Sequence, residues 1–259
     1  MLKKGIVFVD KPAGITSFQL VEKVKEYLRA EKAGHSGTLD MGVTGVMLVA
    51  LGEATKAMPV LVGLDKEYEG VMHTHANTDE KDIREACASF VGKIIQTPPR
   101  KSAVKREPRE RTIHSLEIMK IVGRDVFFRV KCQSGTYIRK LCSDIGEKIG
   151  GAHMAKLRRT RLGLFPITEC VKLEDLSPGS IKSLESVLQR VGVRGITIRT
   201  QFMERIMNGM PLEKEWVKSE DKGIKSGEII ALYSENNIIA LAIYKEKSYA
   251  KVDRIFITN

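Results

Sequence analysis

Asp40 is the residue of this chain best placed to do chemistry. It ends the segment Gly34–Asp40 (GHSGTLD), in which two glycines and two hydroxyl residues precede the carboxylate. Glycines let the backbone turn tightly and let another molecule approach it closely. A carboxylate in such a turn either caps free backbone N–H groups or serves as a displayed chemical group, such as a nucleophile. Since aspartate is common in turns, the segment taken alone favours the capping role.

Two further residues carry side chains that suit a catalytic carboxylate. Arg139 follows the turn Ser134–Thr136 at a predicted helix start, where its guanidinium can pair with a carboxylate and keep it ionised. A surface arginine on an amphipathic helix explains the same pattern equally well. Tyr68 stands at a predicted strand start, and a half-buried core tyrosine is the simpler interpretation of it.

Two segments are rich in basic residues. Residues 96–111 contain six basic side chains, two acidic ones and three prolines, so no regular element is expected there. A loop of this length is usually functional, which favours a flap along a phosphate backbone over a solvated loop. Leu157–Arg161 places three arginines in five residues, a pattern that suits phosphate contacts and a solvated charge run equally.

The composition favours a nucleic-acid partner. The chain has 259 residues and a net charge of +11 at pH 7, which favours nucleic acid before a membrane surface. It lacks a run of 18 apolar residues, and its apolar start is interrupted at Asp10 and Lys11, so we expect no membrane span and no export signal. Four widely spaced cysteines favour a reducing cytoplasm over a disulfide framework.

The sequence offers no motif for a cofactor or a metal. It has no P-loop, no G-x-G-x-x-G and no H-E-x-x-H. Its five histidines are not at ligand spacing from cysteines or carboxylates, and the pair His73 and His75 alone is weak support for a metal. We therefore expect neither a metal nor a cofactor.

The hydrophobic pattern predicts strands and helices in alternation around these residues. Strands are expected over residues 5–9, 46–51, 68–75, 113–121 and 126–132, and helices over 18–28, 54–62, 79–90 and 137–149. Ser17 is the expected N-cap of the first helix. The segment Ser177–Ser180 reads as a linker to short strands that suggest a small β-barrel-like module.

Six motifs, in order, resemble one family of pseudouridine synthases. That family contains the bacterial tRNA uridine-55 synthase TruB and the archaeal and eukaryotic H/ACA synthase of the dyskerin type. The motifs are Val9–Ser17, Gly34–Asp40 with Thr44–Val46, Lys66–Tyr68, Pro98–Lys105, Gly135–Arg139 and Leu157–Arg161. A single motif of this kind could be a chance match, whereas six motifs in the same order are highly specific.

The resemblance implies an architecture. It implies an α+β pseudouridine synthase fold with a mixed, mostly antiparallel central sheet over residues 1–177. Residues 96–111 would form a basic, thumb-like loop of this domain. Residues 183–259 would form a small β-barrel-like RNA-binding module of the PUA type.

The resemblance also implies roles for single residues. Asp40 matches the catalytic nucleophile, Tyr68 the residue that stacks on the target base and helps remove a proton, and Arg139 the partner of the aspartate. Substrate-binding residues would be Lys11 and His35, which support the site, and Leu157, which lines the uracil pocket. RNA-binding residues would be Arg100, Lys101, Lys105, Arg106, Arg158 and Arg159.

The implied reaction is the isomerisation of uridine to pseudouridine, which involves no net redox change and needs no cofactor. The first choice of substrate is uridine 55 in the T-loop of tRNA. The alternative is the catalytic subunit of an H/ACA complex, which needs a guide RNA and accessory proteins and acts on ribosomal RNA. Met41, Ser36 and Lys101 depart from the bacterial pattern and resemble the archaeal branch, whereas the short tail resembles the stand-alone tRNA enzymes. From another class, a non-catalytic RNA-binding protein would keep the same fold.

Overall fold

The computed structural model of this chain describes residues 4–98, 105–245 and 249–256. Its strands are β1 (Gly5–Lys11), β2 (Ala33–His35), β3 (Thr44–Leu51), β4 (Lys66–Thr74), β5 (Gly92–Gln96), β6 (Arg109–Val122), β7 (Asp125–Cys132), β8 (Ala152–Leu162), β9 (Phe165–Pro166), β10 (Gly195–Ile198), β11 (Val217–Glu220), β12 (Ile229–Ser234), β13 (Asn237–Lys245) and β14 (Tyr249–Ile255). Its α-helices are α1 (Ser17–Tyr27), α2 (Met58–Val62), α3 (Glu80–Ala88), α4 (Ile138–Lys148), α5 (Leu184–Arg190) and α6 (Met203–Met207). The predicted α+β class is confirmed.

A nine-stranded sheet forms the first part of the fold. Its strand order is β1-β3-β8-β4-β7-β6-β5, with β2 paired to β3 and β9 paired to β8. Its pairs are antiparallel apart from β3 and β8, so the sheet is mixed and mostly antiparallel, as predicted. At the parallel pair, a Cβ on Gly45 would lie 2.1 Å from the carbonyl oxygen of Arg159, so the close approach of these strands requires glycine.

Both faces of the strands β1 and β3 are buried. Alternate residues such as Val7 and Val49 face a core that also includes α1, α3 and α4. The intervening residues, such as Phe8 and Leu48, face a second core that includes α5 and part of β13. This explains the near-continuous apolar runs in β1 and β3, since a strand that is covered on both sides has no polar face.

The start of α1 differs from the prediction. Thr16 is the N-cap, its Oγ1 accepting a hydrogen bond from the Gln19 N–H at 3.1 Å, and Gln19 returns a bond in a capping box. The prediction of Ser17 as the cap is therefore wrong by one residue. The predicted helix over 54–62 is also divided, into a 3-10 turn at Gly52–Ala57 and the short helix α2.

The basic segment is bounded by strands. Strands β5 and β6, called the arm from here on, pair from Gln96 opposite Arg109 back to Gly92 opposite Ile113. The two ends of the predicted loop at 96–111 thus belong to a hairpin. Residues 99–104, which include the predicted RNA-binding residues Arg100 and Lys101, lie outside the described part of the chain.

A five-stranded sheet forms the second part of the fold. Its order is β11-β10-β12-β13-β14, and it packs around the fully buried Trp216. The edge strands β11 and β14 are not paired with each other in the described residues, so the predicted β-barrel-like module is seen as an open five-stranded sheet. The predicted linker ends in a 3-10 turn, after which Lys182 exchanges two backbone hydrogen bonds with Ile6 of β1. No helix within the described ranges is long and apolar enough to cross a membrane.

Candidate active site

Asp40 lies in the connection between β2 and β3, and buried side chains fix the backbone on both sides of it. On one side, Ser17 Oγ donates to the carbonyl oxygen of Leu39 at 2.9 Å and accepts from the Leu39 N–H at 2.8 Å. Ser17 is free for this task because Thr16 caps the helix. The residue before the carboxylate is therefore held by both of its backbone groups.

On the other side of Asp40, a buried lysine holds the backbone. Lys11 Nζ donates to the carbonyl oxygens of Val43 at 2.9 Å, Pro12 at 3.0 Å and Met41 at 3.3 Å. Burial lowers the pKa of Lys11, while the nearby Asp40 carboxylate opposes that shift. The Lys11 side chain thus supports the site by holding the backbone carbonyl groups of the loop.

An ion pair joins Asp40 to Arg139. The Arg139 Nη2 donates to the Asp40 Oδ2 across 99 residues of sequence, from the first turn of α4. The Asp40 side chain is 53% exposed and the Arg139 side chain 63%, so the carboxylate is both oriented and open to another molecule. A charge-assisted pair of this kind fixes the direction of a carboxylate, which is what a positioned nucleophile or base requires.

Arg159 is buried beneath the site and does not face solvent. It is 1% exposed, and it donates from Nε to the Val46 carbonyl at 2.6 Å and from Nη2 to the Gly37 carbonyl at 3.3 Å. A guanidinium in this position holds the Gly34–Asp40 loop against β3 and cannot lie along an RNA backbone. In this structure Arg159 therefore lacks the accessibility that the predicted phosphate contact needs, because its position on β8 faces the protein interior.

Tyr68 lies opposite Arg159 in the pairing of β4 with β8. Its side chain is buried, and burial raises the pKa of the phenol while the Arg159 charge opposes that shift. The phenol is therefore neutral at physiological pH. Little of the ring is open in this structure, so the predicted stacking on a base requires that the ring become accessible.

His35 and Leu157 complete the surroundings. His35 Nδ1 accepts from the Gly37 N–H at 3.2 Å, and burial, aided by the Arg159 charge, lowers the pKa of the ring. The imidazole is thus neutral and supports the loop. Leu157 is half-buried on β8 opposite Gly70, where a Cβ would lie 3.0 Å from Leu157 Cδ1. The glycine leaves room for this leucine beside the core.

The remaining predicted RNA-binding residues have different surroundings. Arg158 Nη2 donates to Asp10 Oδ2 at 2.6 Å and Nη1 donates to Thr44 Oγ1 at 3.1 Å, so this half-exposed arginine ties β8 to β1 and β3. Lys105 and Arg106 are exposed, and Lys105 pairs with Glu107. These two side chains have the accessibility that a phosphate contact needs.

Lys66 was not singled out as a site residue from the sequence, although it lies two residues before Tyr68. Buried Lys66 donates from Nζ to the carbonyls of Leu64 at 2.6 Å and Val62 at 2.8 Å and to Ser134 Oγ at 2.8 Å. Burial lowers its pKa to about 8. The strand alternation carried a signal, since Lys66 shares the inward face of β4 with Tyr68, two residues on.

Two close side-chain contacts that involve histidine lie at and just beyond the C-terminal end of β4. His73 Nδ1 lies 2.6 Å from Asp125 Oδ1, and His75 Nε2 lies 3.0 Å from His153 Nδ1. Even so, no group of three or more histidines, cysteines or carboxylates in the described residues is arranged to hold a metal ion.

Two family models match the chain. Residues 25–138 match the N-terminal domain of the TruB family of pseudouridylate synthases, and residues 139–191 match the C-terminal domain of tRNA pseudouridylate synthase B. The second match begins within α4 and includes the central strand β8. The five-stranded sheet lies beyond both matches.

Two relatives that are matched over most of their length carry one name. The chain is 41% identical to a probable tRNA pseudouridine synthase B of Methanopyrus kandleri, over 94% of this chain and 77% of the relative. It is also 41% identical to the protein of that name in Methanocaldococcus jannaschii, over 98% of this chain and 81% of the relative.

Solved structures are similar over almost the whole chain. A chain from a crystal structure of a Cbf5–Nop10–Gar1 complex is 34% identical, with a TM-score of 0.86 over 98% of this chain and 85% of that one. A chain from an H/ACA RNP bound to a substrate RNA containing 2′-deoxyuridine is 32% identical, with a TM-score of 0.84 and the same coverage.

Proposed function

The chain belongs to the TruB family of pseudouridylate synthases, and we propose that it isomerises uridine 55 in the T-loop of tRNA with Asp40 as the catalytic nucleophile. The observation that carries the proposal is the ion pair between Arg139 and Asp40. It supplies one oriented, half-exposed carboxylate on a loop whose main chain is held by Lys11 and Ser17.

One fixed carboxylate meets the needs of the isomerisation. The bond between the sugar C1′ and N1 of uracil breaks, the base turns, a bond from C1′ to C5 forms, the proton on C5 leaves and N1 takes up a proton, so that the overall composition is unchanged. Asp40 can attack carbon 6 of the base, attack the sugar carbon or take a proton from the sugar, and each route needs the ionised form. The reaction has no net redox change, so the proposal includes no cofactor.

The target nucleotide must leave its stack to reach Asp40. An aromatic face stacked on a base contributes about 1–3 kcal/mol, and Tyr68 is the proposed source of that contact. Leu157 would line the uracil pocket, with Lys11 and His35 supporting the loop. Lys105 and Arg106 would contact RNA phosphates, as would Arg100 and Lys101.

The C-terminal region adds a second part to the proposal. We assign residues 183–259 to an RNA-binding module of the PUA type, separate from a catalytic domain over residues 1–177. Support comes from its own strand order and its own apolar core around Trp216. The free cysteines among the described residues are consistent with a cytoplasmic site of action.

A second candidate is the catalytic subunit of an H/ACA complex that modifies ribosomal RNA. It is favoured by the TM-score of 0.86 to the Cbf5 chain of a complex with Nop10 and Gar1. An assay in which pure protein is incubated with an unmodified tRNA transcript distinguishes the stand-alone tRNA enzyme from the subunit of an H/ACA complex. Pseudouridine at position 55 supports the stand-alone enzyme, whereas product that requires a guide RNA and accessory proteins supports the second candidate.

The test of the nucleophile is Asp40→Asn, which keeps the size of the side chain and removes its charge. We expect the rate of pseudouridine formation to fall by on the order of 10⁴-fold or more, with RNA affinity largely kept. The matched control is Asp125→Asn, which alters another half-exposed, paired carboxylate, at the start of β7 opposite His73. Activity that survives in Asp40→Asn would show that the assignment is wrong. A wild-type protein that binds RNA and never forms product would favour a non-catalytic binder.

A further inference from the structure

The arm is hydrogen-bonded to the turn that carries Arg139. Gln96 Oε1 accepts from the Tyr137 N–H at 2.9 Å, and Gln96 Nε2 donates to the Tyr137 carbonyl oxygen at 3.2 Å. One side-chain amide thus holds both backbone groups of the residue that precedes α4. Arg139 follows two residues later, in the first turn of the helix.

Gln96 is placed for this task by its position in the arm. It is the last residue of β5, it is 2% exposed, and its neighbour Ile95 is 74% exposed on the opposite face. An amide buried this deeply is costly unless its polar atoms are hydrogen-bonded. Both polar atoms of Gln96 are used on Tyr137, which accounts for a polar residue at an inward position of the strand.

The second strand of the arm is attached to the same turn. The Gln133 N–H donates to the Thr112 carbonyl at 2.8 Å, and the Thr112 N–H donates to Gln133 Oε1 at 3.1 Å. A Cβ on Gly135 would lie 3.0 Å from the guanidinium of Arg111. Both strands of the arm therefore meet the segment Gln133–Tyr137.

Lys66, which lies on β4 two residues before Tyr68, is also hydrogen-bonded to this turn. Its Nζ donates to Ser134 Oγ at 2.8 Å, and Ser134 Oγ donates to the Val62 carbonyl at 2.6 Å. The turn is thus tied to β4 at one end and to the arm at the other. Small displacements of Tyr137 would be carried directly to the guanidinium that meets Asp40.

We propose that Gln96 is a positioning residue that holds Tyr137 so that Arg139 meets Asp40. The inference rests on the proposed function and deepens it, because it assigns the base of the arm a part in aligning the catalytic pair. Gln96 touches neither the carboxylate nor the substrate, so it acts through Arg139. A loss of alignment slows the chemical step and leaves RNA binding in place.

The variants are Gln96→Met, which loses both hydrogen bonds, and Gln96→Glu, which keeps the acceptor for the Tyr137 N–H. The matched control is Ile95→Met, an exposed neighbour on the same strand. We expect the single-turnover rate to fall about 30-fold in Gln96→Met, with partial recovery in Gln96→Glu. RNA affinity should change by less than about threefold in each variant, and Ile95→Met should retain the wild-type rate.

A second mutation shows whether Gln96 acts through Arg139. In an Arg139→Lys background, Gln96→Met should slow the reaction by less than about threefold, because the partner it positions is already changed. Losses that multiply in the double variant would overturn the proposal. A Gln96→Met protein whose RNA affinity falls in step with its rate would overturn it too.

The Arg139 side chain gives a readout that is independent of activity. Its Nε–H signal in a ¹⁵N NMR spectrum, assigned with Arg139→Lys, should shift in Gln96→Met and stay unchanged in Ile95→Met. A signal that is the same in all three proteins would overturn the proposal, even if wild-type protein formed no pseudouridine. If Gln96→Met fails to fold, Gln96→Glu provides the same two measurements.

Discussion

The two sheets of this chain bury different kinds of side chain. In the part of the chain that the structure describes, the buried polar or charged residues are Lys11, Ser17, Ser36, Lys66, Thr74, Gln96, Arg159 and Ser234. All but Ser234 belong to the nine-stranded sheet or its connections. The five-stranded sheet instead packs around Trp216, whose ring stacks on Phe202 with 5.4 Å between centroids.

The difference indicates what each region must achieve. A buried polar group costs free energy unless it is hydrogen-bonded, so an apolar core is the simpler way to stabilise a sheet. Lys11, Ser17 and Arg159 nevertheless bond to the main chain around Asp40. Lys66 and Gln96 bond to the turn before Arg139. These hydrogen bonds hold the loops of the first sheet around the Asp40–Arg139 ion pair, which is the proposed catalytic pair.

The largest expected effect that tests this comparison is that of Arg159→Met. The substitution leaves the carbonyls of Val46 and Gly37 without their donor in a buried place, and it loosens the Gly34–Asp40 loop. We expect a loss of about 3 kcal/mol in the free energy of unfolding, together with loss of activity. Urea denaturation and a product assay measure the two effects.

The control for this variant is Arg161→Met. Arg161 lies two residues along the same strand and is exposed, so its replacement should change stability by less than about 0.5 kcal/mol. Equal losses in the two variants would contradict a special role for the buried arginine. The two sheets would then differ in which residues they bury, and the buried polar residues of the first sheet would have no special role in stability.

The position of Arg159 also shows where prediction from sequence stopped. The run Leu157–Arg161 indicated phosphate contacts, yet neighbours on a strand face opposite sides. By this alternation Arg159 points into the protein and Arg158 does not, and a register shift in the pairing of β8 with β4 between residues 159 and 161 leaves Arg161 exposed as well. The segment alone could not show that a strand would bury one arginine beside the Gly34–Asp40 loop, because that depends on the pairing of β8 with β3 and β4.

Local patterns predicted much of the first sheet. Apolar runs gave β1 and β3, and helical spacing of Leu20, Val21 and Val24 gave α1. The pairing of Arg139 with Asp40 spans 99 residues, and the sequence supported it through family resemblance alone. Neither a local pattern nor the family resemblance predicted the contact of Gln96 with Tyr137, because that contact depends on where the arm meets the start of α4.

A matched pair of serines gives a smaller test of the comparison. Ser17 makes two hydrogen bonds to Leu39, whereas Ser234 is buried in the second sheet without a side-chain hydrogen bond in the described residues. Ser17→Ala should cost about 1–2 kcal/mol and slow the reaction, because the residue before Asp40 is released. Ser234→Ala should be nearly neutral in both measurements.

Comparable costs for Ser17→Ala and Ser234→Ala would remove the distinction between a positioning hydroxyl and a packed one. A stability loss at Ser17 with full activity would separate the two roles assigned to it. In that case Lys11 and Arg159 would suffice to hold the loop.

The smallest expected effect is a pH dependence of stability that comes from Lys66. Burial lowers its pKa from 10.5 to about 8. Between these values the unfolded chain keeps a proton that the folded chain has lost, so stability rises with pH. We expect wild-type protein to gain about 1 kcal/mol between pH 7 and pH 9 relative to Lys66→Met. Lys131→Met, on the adjacent strand β7, should keep the wild-type slope. If the free energy of unfolding has the same pH dependence in wild type and Lys66→Met, burial does not destabilise the Lys66 ammonium. The buried polar groups of the first sheet would then not carry the desolvation cost that distinguishes it from the second sheet.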